Sequence, residues 1–100
     1  MSHTSRKLSP AHIEKKMQSI SDWVVNKNMT QLSKVFPITS YLDGLAFLAR
    51  IVVYAEVMQH HPDIELSYKQ VKVRLTTHDA KGLTLADFEL AKKIEKIASK

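Results

Sequence analysis

The sequence predicts an α+β fold of order α-β-β-α-β-β-α, in which a four-stranded antiparallel sheet carries helices packed on one face. Three observations predict it. Apolar residues recur at helical spacing in three stretches, at the start, middle and end of the chain. Between these stretches lie two pairs of short runs rich in β-branched and aromatic residues. Helix-start signals stand where each helical stretch begins, at Ser9-Pro10, at Ser40 with Asp43, and at Thr84 with Asp87. Paired strands separated by single helices suit an antiparallel sheet with helices on one side.

The first helix begins at Leu8-Ser9-Pro10. Ser9 can cap free amides, Pro10 suits the first turn, and Leu8 can staple onto Ile13. Ile13, Met17 and Ile20 follow at helical spacing, with Glu14, Lys15 and Lys16 on the wet side. Two β-prone runs come next, Asp22–Lys27 and Gln31–Ile38, joined by a turn over Asn26–Thr30. The central helix runs from Ser40 to about Gln59. Leu42, Leu45, Phe47, Leu48, Ile51, Val52, Val53, Val57 and Met58 point from it in every direction, and between its ends only Arg50 and Glu56 are charged. A single apolar stripe is enough to cover a sheet, so a helix apolar all round needs cover on a second side. With only three helices in the chain, another subunit is the expected cover, in a homodimer or homotetramer joined through helix 40–59.

After Pro62 the pattern alternates. Ile64, Leu66 and Tyr68 fall on one face. Val71, Val73 and Leu75 fall on another, with Lys72, Arg74 and Thr76 outward. Lys69-Gln70 is weak turn chemistry for the hairpin between them. Asp79–Gly82 reads as a loop. The last helix follows, with Leu90, Ala91, Ile94, Ile97 and Ala98 toward the core and Lys92, Lys93 and Lys96 toward water.

The 100 residues, 44% apolar, make one domain over positions 1–100, with disorder expected over 1–7. There is no cysteine, so neither a disulfide framework nor a thiolate nucleophile is available. No apolar run approaches the roughly eighteen residues of a membrane span. MSHTSRK lacks the apolar segment of a secretory signal, so no membrane partner and a cytoplasmic location are expected. The formal net charge of +5 attracts anions. Its lysines are dispersed with no aromatics interleaved, which favours a solvated basic surface over nucleic-acid binding.

The stretch MQHHPD, residues 58–63, places His60 and His61 at the exit of the central helix. Helix-end carbonyls and the helix dipole favour imidazolium there, Asp63 adds to that, and burial opposes it. His78 ends a strand beside Asp79. If that strand end meets the helix exit, three imidazoles converge, able to donate and accept protons near neutrality. From the residues alone, partly buried polar side chains and a functional site are about equally favoured; His3 and His12 suggest nothing beyond the former. A metal site is the weaker reading, because no i, i+4 histidine pair or spaced carboxylates occur. Serine in a nucleophile elbow and a glycine-rich phosphate loop are both missing, the glycines being Gly44 and Gly82.

The segment AEVMQHHPDIELSYKQVKVRLTTHDAKGLTLADFELAKKIEKI resembles the C-terminal half of pterin-4a-carbinolamine dehydratases. The resemblance rests on His60-His61-Pro62-Asp63, Tyr68 with Val71, Thr77-His78-Asp79, Gly82-Leu83-Thr84 and Asp87. Trp23, Phe36, Phe47, Arg50 and Ala55-Glu56 extend it, so that it spans about residues 8 to 98. It implies the same element order and assembly through the central helix. It also implies loss of water from a 4a-hydroxytetrahydropterin to give the quinonoid dihydropterin, within tetrahydrobiopterin recycling, with no metal or redox cofactor. By the resemblance His60, His61 and His78 are catalytic, His60 and His78 suiting acid and base work and His61 holding the pterin. Glu56, Thr76, Thr77 and Asp79 are the implied substrate-binding residues. The chain departs from the family's pattern at Gln59, where an acid is common, and at Ile64, where tryptophan is common. Relatives of the family also act as binding proteins, a dimerisation cofactor for a transcription factor and Rubisco assembly factors. A pure scaffold has no use for three histidines.

Overall fold

A computed structural model describes residues 6–99 of the chain. The elements run α1 (Pro10–Met17), β1 (Val24–Val25), β2 (Leu32–Pro37), α2 (Tyr41–Met58), β3 (Asp63–Ser67), β4 (Gln70–Leu75) and α3 (Leu85–Ala98), with a 3₁₀ turn at His78–Ala80. The strands form one antiparallel sheet in the order β1-β2-β4-β3. The predicted α+β order is the observed one. Of the stretch expected to be disordered, residues 1–5 lie outside the described residues, and so does His3.

Alternation builds the core. Val71, Val73 and Leu75 of β4 and Leu32 and Phe36 of β2 are buried on the helix-bearing side, against Phe47 and Ile51 of α2 and Leu90, Ala91 and Ile94 of α3. Trp23 meets Phe36 edge-on at 6.0 Å between centroids, and Phe36 meets Phe47 at 5.0 Å. The Trp23 indole donates to Glu95 Oε2 at 2.8 Å, and Lys34 Nζ reaches the same oxygen at 2.5 Å. Sheet and α3 are thereby tied at their far edge.

Four expectations need correction. Tyr68 does not continue the face of Ile64 and Leu66: Ser67 pairs with Gln70, which puts Tyr68 and Lys69 in a two-residue turn where Tyr68 is exposed. Ala98 is exposed rather than in the core, since it closes the last turn of α3 beyond the reach of the sheet. β1 covers Val24–Val25 alone, because the Trp23 amide closes a turn onto Ile20 and Asn26 Oδ1 takes the amides of Thr30 and Gln31. Asp79–Gly82 is not plain loop: the turn beginning at His78 is closed by bonds between Thr77 and Gly82.

Helix α2 is capped by Ser40 Oγ, which accepts from the Asp43 amide at 3.0 Å. The Asp43 carboxylate accepts from the Thr39 hydroxyl at 2.6 Å. The Thr39 bond, then that of Ser40, holds the Asp43 carboxyl below its ordinary value. The stabilisation that follows from a depressed folded value is present above the ordinary carboxylate range and is lost as pH falls through the lowered value. A stripe of Gly44, Phe47, Ile51 and Ala55 faces the core. The outward side leaves Leu42 at 73% and Val57 at 77% exposure, with Leu45 and Val53 between them also exposed.

Gly44 sets how closely α2 approaches the sheet. A Cβ there would lie 2.4 Å from Ile38 Cδ1 and 2.7 Å from Leu66 Cδ1. Gly44→Val should therefore lower unfolding free energy by about 1–3 kcal/mol through overpacking. A urea midpoint equal to wild type would overturn this account of the α2–sheet contact.

Candidate active site

The site begins where α2 stops. Gln59 turns into the left-handed region at φ 56°, which brings its amide to the Glu56 carbonyl at 3.2 Å and the His60 amide to the Ala55 carbonyl at 3.0 Å. Gln59 Nε2 also donates to the Glu56 carbonyl, at 2.9 Å. Of the helix-end carbonyls expected to face the imidazoles, those of Ala55 and Glu56 are thus occupied by amides. What the reversal does instead is send consecutive histidines to different surroundings. The His60 side chain is 11% exposed and that of His61 60%.

His60 turns inward onto Asp87, which is fully buried at the start of α3, with Nε2 and Oδ1 2.6 Å apart. The other carboxylate oxygen accepts from the Thr84 amide at 2.9 Å and the Thr77 hydroxyl at 2.7 Å. Thr77 and Thr84 hydroxyls are 2.8 Å apart, and because Thr77 spends its proton on Asp87, Thr84 donates to Thr77. The Thr84 amide and the Thr77 hydroxyl thus both point at the carboxylate, and the Thr84 hydroxyl backs that of Thr77. An ionised carboxylate only accepts, so the network assigns the proton to His60 Nε2 and leaves Nδ1 as the nitrogen that can exchange one. A buried carboxylate behind an imidazole also stabilises the imidazolium when it forms.

His61 turns outward, its Nε2 2.7 Å from Glu56 Oε2, in a pair open to solvent on both sides. His78 opens the 3₁₀ turn, exposed. Thr76 Oγ1 donates to the Thr30 carbonyl at 2.5 Å, so its hydroxyl proton anchors β4 to the β1–β2 loop. Around a cavity of about 220 Å³ stand His60, His61 and His78, with Gln59, Thr76, Thr77 and Asp79 completing its wall. The fold thus brings the three histidines together. Glu56 does not line the cavity and reaches it through His61. Ile64 is half-buried against the core instead. Larger cavities of about 410 and 380 Å³ lie along α2 and α3, but no imidazole lines them. Among the described residues no three His, Cys, Asp or Glu side chains are grouped to hold a metal ion.

Asp87 is the member that sequence reasoning misses, reading it as a helix cap and part of a motif. A signal was present. Asp87 shares its helix face with Leu90, Ala91 and Ile94 at i+3, i+4 and i+7, and a carboxylate on an apolar face needs donors.

Asp87→Asn should invert the His60 tautomer, because an amide nitrogen facing Nε2 turns it into an acceptor. Ring ¹⁵N shifts should report Nε2–H in wild type and Nδ1–H in the variant. The same tautomer in both would overturn the network. Asp87→Ala should also cost about 1–3 kcal/mol for the buried donors left unpaired.

The chain is similar to known proteins along nearly its whole length. The sequence profile of the family described as "Pterin 4 alpha carbinolamine dehydratase" matches residues 6–97. A protein of Trichormus variabilis, provisionally named a pterin-4-alpha-carbinolamine dehydratase, is 41% identical over 90% of this chain and 95% of its own length. One of Roseiflexus with the same provisional name is 38% identical over 91% of this chain and 96% of its own. The crystal structure of a transcriptional coactivator/pterin dehydratase from Brucella melitensis superposes with a TM-score of 0.88 at 26% identity, covering 93% of this chain and 99% of that one. A pterin dehydratase-like protein identified as a RuBisCO assembly factor in the α-carboxysome shares the fold at a TM-score of 0.67 and 22% identity, over 79% of this chain and 92% of that one. With a profile that runs nearly end to end, the chain belongs to the pterin 4 alpha carbinolamine dehydratase family.

Proposed function

We propose that this protein dehydrates 4a-hydroxytetrahydropterins by histidine acid–base catalysis and serves tetrahydrobiopterin recycling. The observation that carries the reading is the buried Asp87–His60 pair, whose imidazole borders a small cavity shared with His61 and His78. The volume, about 220 Å³, falls below the roughly 300–1,000 Å³ of pockets for drug-sized ligands and suits a small bicyclic ring.

In the reaction the C4a–O bond breaks, the neighbouring ring nitrogen loses its proton, and a double bond forms between the two atoms. Hydroxide is a poor leaving group, so it must depart as water. His60 is the base: its Nδ1 takes the proton from the ring nitrogen, and the resulting imidazolium is stabilised by Asp87, whose charge no solvent screens. His78 is the acid that protonates the departing oxygen: it lines the cavity, and among the described residues its ring has no side-chain hydrogen bond or ion pair. His61 holds the pterin, steadied by Glu56, and the Thr76, Thr77 and Asp79 wall orients it. Proton bookkeeping closes within the site: His78 gives one, His60 gains one, and exchange with water resets both.

Assembly belongs to the same proposal. The outward side of α2, with Leu42, Leu45, Val53 and Val57 exposed, fits burial in a homodimer or homotetramer. That surface also favours a second reading, a binding or assembly role of the kind named for the solved relatives. The three-histidine cleft favours the enzyme. Among the described residues no helix is long and apolar enough to cross a membrane.

Stopped-flow dehydration of chemically generated 4a-hydroxytetrahydropterin tests the activity. His60→Ala and His78→Ala should lower kcat by about 10²–10⁴-fold, and His61→Ala should raise KM more than it lowers kcat. His12→Ala, on the outer side of α1, should match wild type. Activity should survive exhaustive chelation. No dehydration by wild type, or wild-type rates in all three variants, would favour the binding role. Sedimentation should give at least twice 11.4 kDa; a clean monomer would sink the assembly.

A further inference from the structure

We propose that Lys7 and Leu8 are positioning residues for His78, acting as a strap that holds the 78–82 turn in place. The inference rests on the assignment of His78 as the acid and goes beyond it to residues outside the cleft. The side chains of His78 and Asp79 make no hydrogen bond or ion pair among the described residues. Their placement therefore depends on backbone. Thr77 N–H donates to the Gly82 carbonyl at 3.0 Å, and the return bond is longer at 3.4 Å. Between them Lys81 takes a left-handed conformation at φ 57°, costly for a residue with a side chain. Ala80 N–H donates to the Thr77 carbonyl and Lys81 N–H to the His78 carbonyl, both at 3.1 Å, so the turn itself is held by backbone bonds alone and contacts from outside add to them.

The strap supplies such contacts. Leu8 N–H donates to the Leu83 carbonyl at 2.8 Å, directly after the turn. The aliphatic stem of Lys7 then lies across Gly82. A Cβ on Gly82 would sit 2.7, 3.1 and 3.2 Å from Lys7 Cε, Cδ and Cγ. Gly82 is buried, while Lys7 itself is exposed: the stem covers and the ammonium stays in water. Leu8 is anchored in turn, half-buried against the core at the entry to α1. Because Thr84 and Thr77 both belong to the Asp87 network, the strap bears on the segment that links His78 to His60.

The contact suggests its own test. Gly82→Ala should lift the Lys7 stem, and since Gly82 does not have positive φ, the alanine is not itself strained. In Gly82→Ala we expect kcat to fall about tenfold with KM within about twofold, as befits a misplaced proton donor. Amide exchange at Thr77 and Gly82 should quicken by about tenfold as the turn loosens. Lys7→Ala should do the same more weakly, whereas Lys7→Met, which keeps the stem without the charge, should match wild type. In the Lys7→Ala/Gly82→Ala double variant the methyl occupies the place of the stem, and both kcat and exchange should return to within about twofold of wild type. Wild-type kcat and exchange in Gly82→Ala and Lys7→Ala, or a loss that persists in the double variant, would overturn the strap. If the wild type does not dehydrate pterins, the proposed activity fails while the exchange measurements still decide the strap by the same criteria. If Gly82→Ala does not fold, the Lys7→Ala and Lys7→Met pair decides it.

Discussion

A buried carboxylate is tolerable only when donors converge on it, and Asp87 gathers three of them from three parts of the chain. The Thr84 amide comes from the start of α3, the Thr77 hydroxyl from the end of β4, and the His60 ring from the exit of α2. Satisfying one charge therefore fixes the mutual position of two helices and a strand. It also fixes a tautomer. Stability and the proposed chemistry share the same atoms here, so the scaffold cannot relax without disturbing the imidazole.

Helix α2 faces a different constraint. Its inner stripe of Gly44, Phe47, Ile51 and Ala55 is spent on the sheet, yet its outer side is nearly as apolar. A chain of 100 residues buries a modest share of its surface, and one more apolar face costs solubility unless covered. The same helix ends in the reversal that separates His60 from His61. One element thus bears both the proposed subunit contact and the entry to the cleft.

Most of this architecture is legible in the sequence because it follows from local rules. Ser40 and Thr84 announce their helices, and the alternation of Val71, Val73 and Leu75 announces a half-buried strand. Convergence of His60 and His78 is legible only as a condition, because sequence spacing does not say which strand end meets which helix exit. Alternation misplaces Tyr68, because it does not reveal where a strand yields to its turn. Asp87 carried two meanings at once, and the local one, a helix cap, conceals the long-range one. The strap at Lys7 leaves no pattern at all: a glycine after a turn is ordinary, and only the fold reveals what lies across it.

The Tyr68–Lys69 turn sits at the end of the β3–β4 hairpin opposite the histidines. At about 3.3 Å per residue, the five residues of β3 set it roughly 16 Å from the Asp63 end. Lys69 is exposed; its ammonium lies 4.8 Å from the centre of the neighbouring Tyr68 ring within the turn, and its backbone carbonyl accepts from Ile38. The chain has no cysteine. A single thiol introduced there would be the sole attachment point for a fluorophore or spin label, reporting tumbling and subunit exchange from a place where a bulky probe leaves the imidazoles untouched.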